Sequence, residues 1–313
     1  MTVSVLGAGA FGTALAVTLA GNGPVTLWGR DAAKLRANPK LPGVSLPPEV
    51  KATTDLAEAA AANTLLLALP AQALGAFLAD HAGLLDGKSL VSTAKGIDLT
   101  TLTGPSELIR AACPAATVAV LTGPSFAADI ARGLPTALTL ACADAERGEV
   151  LQAELSTQTL RIYRSTDVTG AELGGALKNV IAIAAGAVMG RQLGDSARAA
   201  IITRGFAEMT RLATHLGARA ETLTGLSGLG DLTLTCTSDQ SRNYRFGFSL
   251  GAGTEFDSST TVEGAATAQA VAALAGKLGL DLPITAAVAG LVTRRVSVEK
   301  LMQQLLNRPL KDE

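Results

Sequence analysis

The chain has 313 residues, 48% of them hydrophobic but only 3% aromatic, and a formal net charge of −1. That length accommodates two domains with a sizeable core, while near-neutral charge and scarce aromatics exclude a nucleic-acid footprint of basic patches and stacking rings. Cys113, Cys142 and Cys236 are scattered and odd in number, which argues against a disulfide framework or a paired-cysteine zinc site, and no metal is expected.

The first residues enter a strand at once, with no basic segment and cleavable apolar run before it, so a cytoplasmic protein is expected. Apolar runs at 3–6, 25–28, 64–69, 89–93, 117–121 and 136–141 have strand length and alternate with alanine-rich helical stretches. Near-continuous runs such as Leu65-Leu66-Leu67 suit strands covered on both faces. The alternation predicts an α/β, Rossmann-like N-terminal domain with a doubly wound, mostly parallel sheet. Beyond about residue 168 the rhythm stops. Helices are predicted over 172–189, 197–216, 262–278 and 288–306, the first apolar around much of its circumference and hence the buried axis of an all-α domain. The predicted division is 1–168 for dinucleotide binding and 169–313 for helical substrate chemistry. The most apolar run, residues 180–190, is shorter than a bilayer requires, so no membrane insertion is expected.

Gly7, Gly9 and Gly12 directly follow the first strand and open a helix. That context makes them a dinucleotide-binding fingerprint: one glycine for the turn, one to admit the pyrophosphate, one for helix–strand packing. The helix N-terminus then offers free N–H groups and positive partial charge to phosphate. After the second strand, Arg30 takes the place where an acid would hold the ribose 2′-hydroxyl. An arginine there favours NADP(H), and Asp31 one residue on leaves NAD(H) open.

Residues 225–236, closing with Ser241, Arg242 and Asn243, read as one turn-rich segment combining glycines, an acid, hydroxyls and a planar donor fork suited to phosphate. Lys178 interrupts the long apolar helix. Desolvation there would lower its pKa towards the working range of a proton donor, although a lone helical lysine can also snorkel to solvent. Asp231 and Thr235 are candidate partners for its ammonium. Lys95 and the Gly123-Pro124-Ser125 turn follow candidate strands at the end where open α/β sheets bind ligands. A nucleophilic role for Cys236 is rejected, since neither His81 nor His215 lies near it and buried thiols are mostly inert.

Taken together, residues 7–16, Lys95-Gly96, Gly123-Pro124-Ser125-Phe126-Ala127, Gly175-Ala176-Leu177-Lys178-Asn179-Val180, Gly228-Leu229-Gly230-Asp231-Leu232, Ser241-Arg242-Asn243 and Val262-Glu263-Gly264 resemble bacterial-type NAD(P)-dependent glycerol-3-phosphate dehydrogenase over essentially the whole chain. The resemblance implies reversible reduction of dihydroxyacetone phosphate to sn-glycerol 3-phosphate, the glycerophospholipid backbone. It implies Lys178 as proton donor or acceptor in a catalytic set with Asp231, Thr235 and Lys95. Substrate would be bound by Lys95, Gly123, Ser125, Lys178, Asp231, Ser241, Arg242 and Asn243. Cofactor would touch Gly7, Gly9, Phe11, Gly12, Arg30, Lys95, Ala127, Arg242 and Glu263. A homodimer is implied as well. Ser196 and Thr261 depart from the family's usual asparagine and valine. A related β-hydroxyacid dehydrogenase and a dinucleotide sensor without turnover are the competing readings.

Overall fold

The computed structural model describes residues 2–37, 41–296 and 298. Eight strands form one sheet: β1 (Val3–Leu6), β2 (Val25–Trp28), β3 (Val50–Thr53), β4 (Thr64–Leu67), β5 (Ser89–Ser92), β6 (Thr117–Thr122), β7 (Thr136–Cys142) and β8 (Leu160–Ser165). Their order is β3-β2-β1-β4-β5-β6-β7-β8, parallel except for the β6–β7 pair. Leu6 on β1 stands opposite Trp28 on one side and Leu67 on the other. The strand order reverses at β1, the kind of switch point beyond whose carboxyl ends open α/β sheets bind ligands. Two strands, β3 and β8, lie outside the six predicted runs. Both are sheet edges, and β8 alternates buried Leu160 and Ile162 with exposed Arg161 and Tyr163.

The helices of this half are α1 (Ala10–Leu19), α2 (Ala32–Ala37), α3 (Leu56–Ala59), α4 (Ala71–Leu85), α5 (Pro105–Ala112), α6 (Ala127–Ala131) and α7 (Ala145–Leu155). They cover both sheet faces and enclose two cores, one around Val5, Leu27, Leu66 and Leu121, the other around Leu6, Leu65, Leu67 and Leu90. Sequence runs apolar at every position are therefore buried on alternate faces.

After Ser165 no further strand occurs among the described residues. There follow α8 (Val168–Gly190), α9 (Gly194–His215), α10 (Ala220–Thr224), a π-helical turn (Leu226–Gly230), α11 (Asp231–Cys236), α12 (Arg242–Ala252), α13 (Glu263–Leu278) and α14 (Pro283–Val292). Helix α8 is the axis, buried along nearly its whole length. At 23 residues it is long and apolar enough to cross a membrane, which corrects the shorter span read from sequence, and 94% of its apolar window is buried inside the protein. Helix α14, the last whose bounds lie among the described residues, also differs from expectation. It begins at Pro283, where proline's fixed φ suits the first helical position, and ends at Val292. Arg294 follows in the left-handed region (φ 55°). The remainder of the predicted 288–306 helix, apart from residues up to 296 and Val298, lies outside the described residues.

Helices α8 and α12 approach with backbone in contact. A Cβ on Gly186 or Gly190 would fall on the carbonyl oxygens of Tyr244 and Phe248. Reciprocally, one on Gly247 or Gly251 would fall on those of Ile183 and Ala187. Glycines spaced by four on both helices make this approach feasible, because no side chain separates the axes.

Candidate active site

The three glycines of the first turn differ in their surroundings. Gly7 has a φ of 122°, and a Cβ there would strike the Ala68 carbonyl of the β4–α4 connection. A Cβ on Gly12 would strike the Gly7 carbonyl. Gly9 instead faces open space, with nothing within 4 Å of an added Cβ. It is also the extended N-cap of α1, and no side chain caps that helix. The N-terminus of α1 is therefore left clear beside Gly9, and its backbone N–H groups and helix dipole favour an anion there.

Arg30 is exposed just after β2. Asp31 accepts a hydrogen bond from the Ala33 N–H at 3.0 Å, at the start of α2. Ala127 opens α6, which packs against α1 through Ile130, Ala14 and Ala10. Phe11 is half-buried, and its ring centroid lies 5.9 Å from Lys95 Nζ. Glu263 stands at the start of α13, where its Oε1 accepts from the Ala71 N–H at 3.3 Å. Burial raises the Glu263 pKa, opposed by the Ala71 N–H and by the charge of Arg242.

The residues that the sequence singles out for proton transfer converge from both halves of the chain. Lys178 on α8 is 6% exposed and Asp231 on α11 is fully buried. Lys178 Nζ donates to Asp231 Oδ1 at 2.6 Å and to Thr235 Oγ1 at 2.7 Å. Lys95, from the loop after β5, donates to the other oxygen of the same carboxylate, Oδ2, at 2.7 Å and to the Gly123 carbonyl at 2.9 Å. Two ammonium groups thus share one carboxylate. Burial lowers the Lys178 pKa to about 8, assisted by the neighbouring Lys95 charge and opposed by Asp231. The snorkelling alternative fails for Lys178, because its side chain ends inside the protein on two hydrogen-bond partners.

The turn-rich segment proves helical. A π-helical turn leads into α11, so Asp231 and Thr235 share one helical face at i and i+4. Gly228 makes this feasible, since a Cβ there would collide with the Leu223 carbonyl. Cys236 lies on α11 and not in a loop. Burial pushes its thiol up to about 12, which suits an inert core residue.

Gly123 has a φ of 139°, and its carbonyl also accepts from Ser125 Oγ at 3.2 Å. Ser241 is buried and caps α12, accepting from the Tyr244 N–H at 3.2 Å. Arg242, exposed, and Asn243, half-buried, form the first turn of that helix. Sequence reasoning missed the role of Asn179. Its Nδ2 donates to the Lys95 carbonyl at 3.0 Å, while its Oδ1 accepts from Asn243 Nδ2 at 2.9 Å. Asn243 Oδ1 then accepts from the Gly264 N–H at 2.9 Å. The signal available was an amide inside an otherwise apolar helix, beside the one lysine there. Ser196 and Thr261 are both exposed and have no part in these contacts.

A desolvated lysine held by a carboxylate at the mouth of a dinucleotide-binding sheet suits hydride exchange at a carbonyl, with the lysine moving the proton. The fold and site together define a nicotinamide-dependent oxidoreductase.

Comparison with known proteins narrows the class. Residues 2–148 match the family model for the N-terminus of NAD-dependent glycerol-3-phosphate dehydrogenase, and residues 167–303 that for its C-terminus. A glycerol-3-phosphate dehydrogenase [NAD(P)+] of Paracoccus denitrificans is 68% identical over 315 residues, covering 100% of both chains. That of Cereibacter sphaeroides is 62% identical, covering 99% of this chain and 100% of its own. The crystal structure of glycerol-3-phosphate dehydrogenase from Coxiella burnetii superposes with a TM-score of 0.93 at 36% identity, covering 98% of this chain and 99% of that one. The chain belongs to the NAD-dependent glycerol-3-phosphate dehydrogenase family.

Proposed function

We propose that this enzyme reduces dihydroxyacetone phosphate reversibly to sn-glycerol 3-phosphate with NAD(P)H, using Lys178 as the proton donor. The observation that carries the residue assignment is the pair of ammonium groups, one from each half, on the single buried carboxylate of Asp231. The reduced nicotinamide, when bound, supplies a hydride to the carbonyl carbon. Lys178 Nζ donates its proton to the carbonyl oxygen as negative charge develops there, and takes it back in the oxidative direction. Asp231 and Thr235 hold the ammonium in place, and Lys95 adds positive charge beside the developing alkoxide. The first turn of α12, with Ser241, Arg242 and Asn243, is suited to the phosphate by its free N–H groups and its guanidinium. Gly123 and Ser125 form the opposite wall.

For the cofactor we assign Gly7, Gly9 and Gly12 to the pyrophosphate, and Phe11, Lys95, Ala127, Arg242 and Glu263 to its nicotinamide side. Arg30 is assigned to a ribose 2′-phosphate. Supporting this, Asp31 already serves the N-terminus of α2. Initial rates followed by loss of reduced-nicotinamide absorbance test both assignments. With dihydroxyacetone phosphate as substrate, Arg30→Ala is expected to raise the KM for NADPH about tenfold or more, as loss of a charge-assisted contact implies, and to leave the KM for NADH within about twofold. Equal effects on both cofactors would remove Arg30 from the 2′-phosphate. Turnover of β-hydroxyacids in place of the phosphorylated ketone would overturn the substrate.

The working division of labour is 1–168 for cofactor and 169–313 for substrate chemistry, in a cytoplasmic homodimer that supplies the glycerophospholipid backbone. Sedimentation of the purified chain tests the dimer, and a monomer at micromolar concentration would reject it.

A further inference from the structure

Two carboxylates of the helical half reach into helix N-termini of the sheet half. Glu263 does so at α4, through the Ala71 N–H, within the proposed ligand site. Glu172 does so at α5, away from it. Glu172 lies on α8, six residues before Lys178, and is 8% exposed. Its Oε1 accepts from the Ser106 N–H at 2.7 Å and its Oε2 from Ser106 Oγ at 3.1 Å. Helix α5 has no capping side chain of its own: its N-cap is Gly104, followed by Pro105, which has no N–H to offer. Glu172 therefore supplies the missing cap from another element. A Cβ on Gly104 would fall on the Glu172 carboxylate, so the glycine leaves room for it. The charged groups bearing on the carboxylate, Arg110 and Glu107, both belong to α5.

We propose that Glu172 is a positioning residue for the reaction: by capping α5 it fixes the helix carrying Lys178 against the half carrying Lys95 and the cofactor. The proposal rests on the assignment of Lys178 and Lys95 made above. Its physical basis is the way contacts divide. The Lys178–Asp231–Thr235 set is internal to the helical half and survives a small shift of α8. The Lys95–Asp231 bond and the approach of hydride donor to carbonyl both cross the junction, where a displacement of about 1 Å can cost roughly 10²-fold in rate. Losing the cap should therefore slow turnover more than it weakens either ligand.

The test compares Glu172→Ala and Glu172→Gln in the full-length enzyme, with kcat and KM for dihydroxyacetone phosphate, cofactor affinity and thermal unfolding measured together. Glu172→Ala is expected to lower kcat by about tenfold or more, with KM and cofactor affinity within about threefold. Glu172→Gln should restore kcat to within about threefold of the parent, because the amide oxygen still accepts from the Ser106 N–H. A folded Glu172→Ala enzyme with parental kcat overturns the proposal, as does a glutamine variant as slow as the alanine one. Where Glu172→Ala does not fold, Gly104→Ala decides, since it drives a methyl onto the carboxylate. A fall in kcat at constant KM supports the positioning role, and an unchanged kcat rejects it. Lys178→Ala is assayed alongside. If it keeps turnover, the assignment of Lys178 and this proposal both fall. If it is inactive while Glu172→Ala runs at the parental rate, only the positioning role falls.

Discussion

Replacing Lys178 with alanine is expected to lower the rate of dihydroxyacetone phosphate reduction by about 10²- to 10⁴-fold, the range supplied by a positioned general acid. Folding should survive the change. Asp231 keeps Lys95 and the Thr235 hydroxyl as partners, so no buried carboxylate is left alone. Cofactor affinity, read by fluorescence titration, should change by less than about threefold, since the glycine cradle is built entirely from the other half. Parallel loss of cofactor binding would give the lysine a structural role instead. The pH dependence provides a second reading. Lys178 carries its proton below a pKa of about 8. Reduction, which needs the protonated donor, should therefore hold steady at lower pH and decline as pH rises through that value. Oxidation of sn-glycerol 3-phosphate needs the neutral amine and should rise over the same interval. Initial rates in both directions check the sign, and profiles that move together would remove Lys178 from proton transfer.

The second large effect concerns stability. Gly247→Ala places a Cβ against the Ile183 carbonyl, whose carbon lies only 2.7 Å from that position. The Cβ is fixed by its own backbone and the group it meets is backbone, so neither can turn aside by changing rotamer, and α12 must move away from α8. Overpacking of this kind costs about 1–3 kcal/mol, and the rigid partners here place it at the upper end or beyond. The shift would also strain the Asn243–Asn179 hydrogen bond in the first turn of α12. Chemical denaturation should show a midpoint well below that of the parent, with a raised KM for the phosphorylated substrate. Gly276→Ala is the matched control, since it lies exposed on α13 with nothing within 4 Å of an added Cβ. It should stabilise by about 0.5–1 kcal/mol, the helical advantage of alanine over glycine. Equal behaviour of the two variants would mean that the α8–α12 contact can relax at no cost.

Local patterns made most of the sheet half legible. Runs of apolar residues identify the inner strands because both sheet faces are covered, and the tight turn at Gly7 and the close packing at Gly12 are legible because these are backbone requirements. The edge strands β3 and β8 escaped. Val50–Thr53 buries little, and Leu160–Ser165 follows the alternating pattern of a half-covered strand, not the continuous one sought. Residues 225–236 read as turn-rich because glycine marks turns in most contexts, whereas they are largely helical. Here it serves a tight helical crossing, which only the packed neighbours reveal. Cys236 accordingly lies buried on a helix.

The sequence alone determined the class of fold and the family, and it singled out Gly7, Gly9, Gly12, Lys178, Asp231, Thr235 and Lys95 as candidates, because each depends on residue type within a short, ordered motif. It could not determine which groups share a proton network. Lys95 and Asp231 are 136 residues apart, and only the folding of α8 and α11 against the β5 loop brings two ammonium groups onto one carboxylate. The lowered pKa of Lys178 arises there too, since desolvation is a property of surroundings and not of sequence position. The cap that Glu172 gives α5, the amide chain through Asn179, and the glycine contact between α8 and α12 are likewise decisions of tertiary structure. Each satisfies or sterically permits a backbone group on an element distant in the chain, and no local pattern specifies the partner.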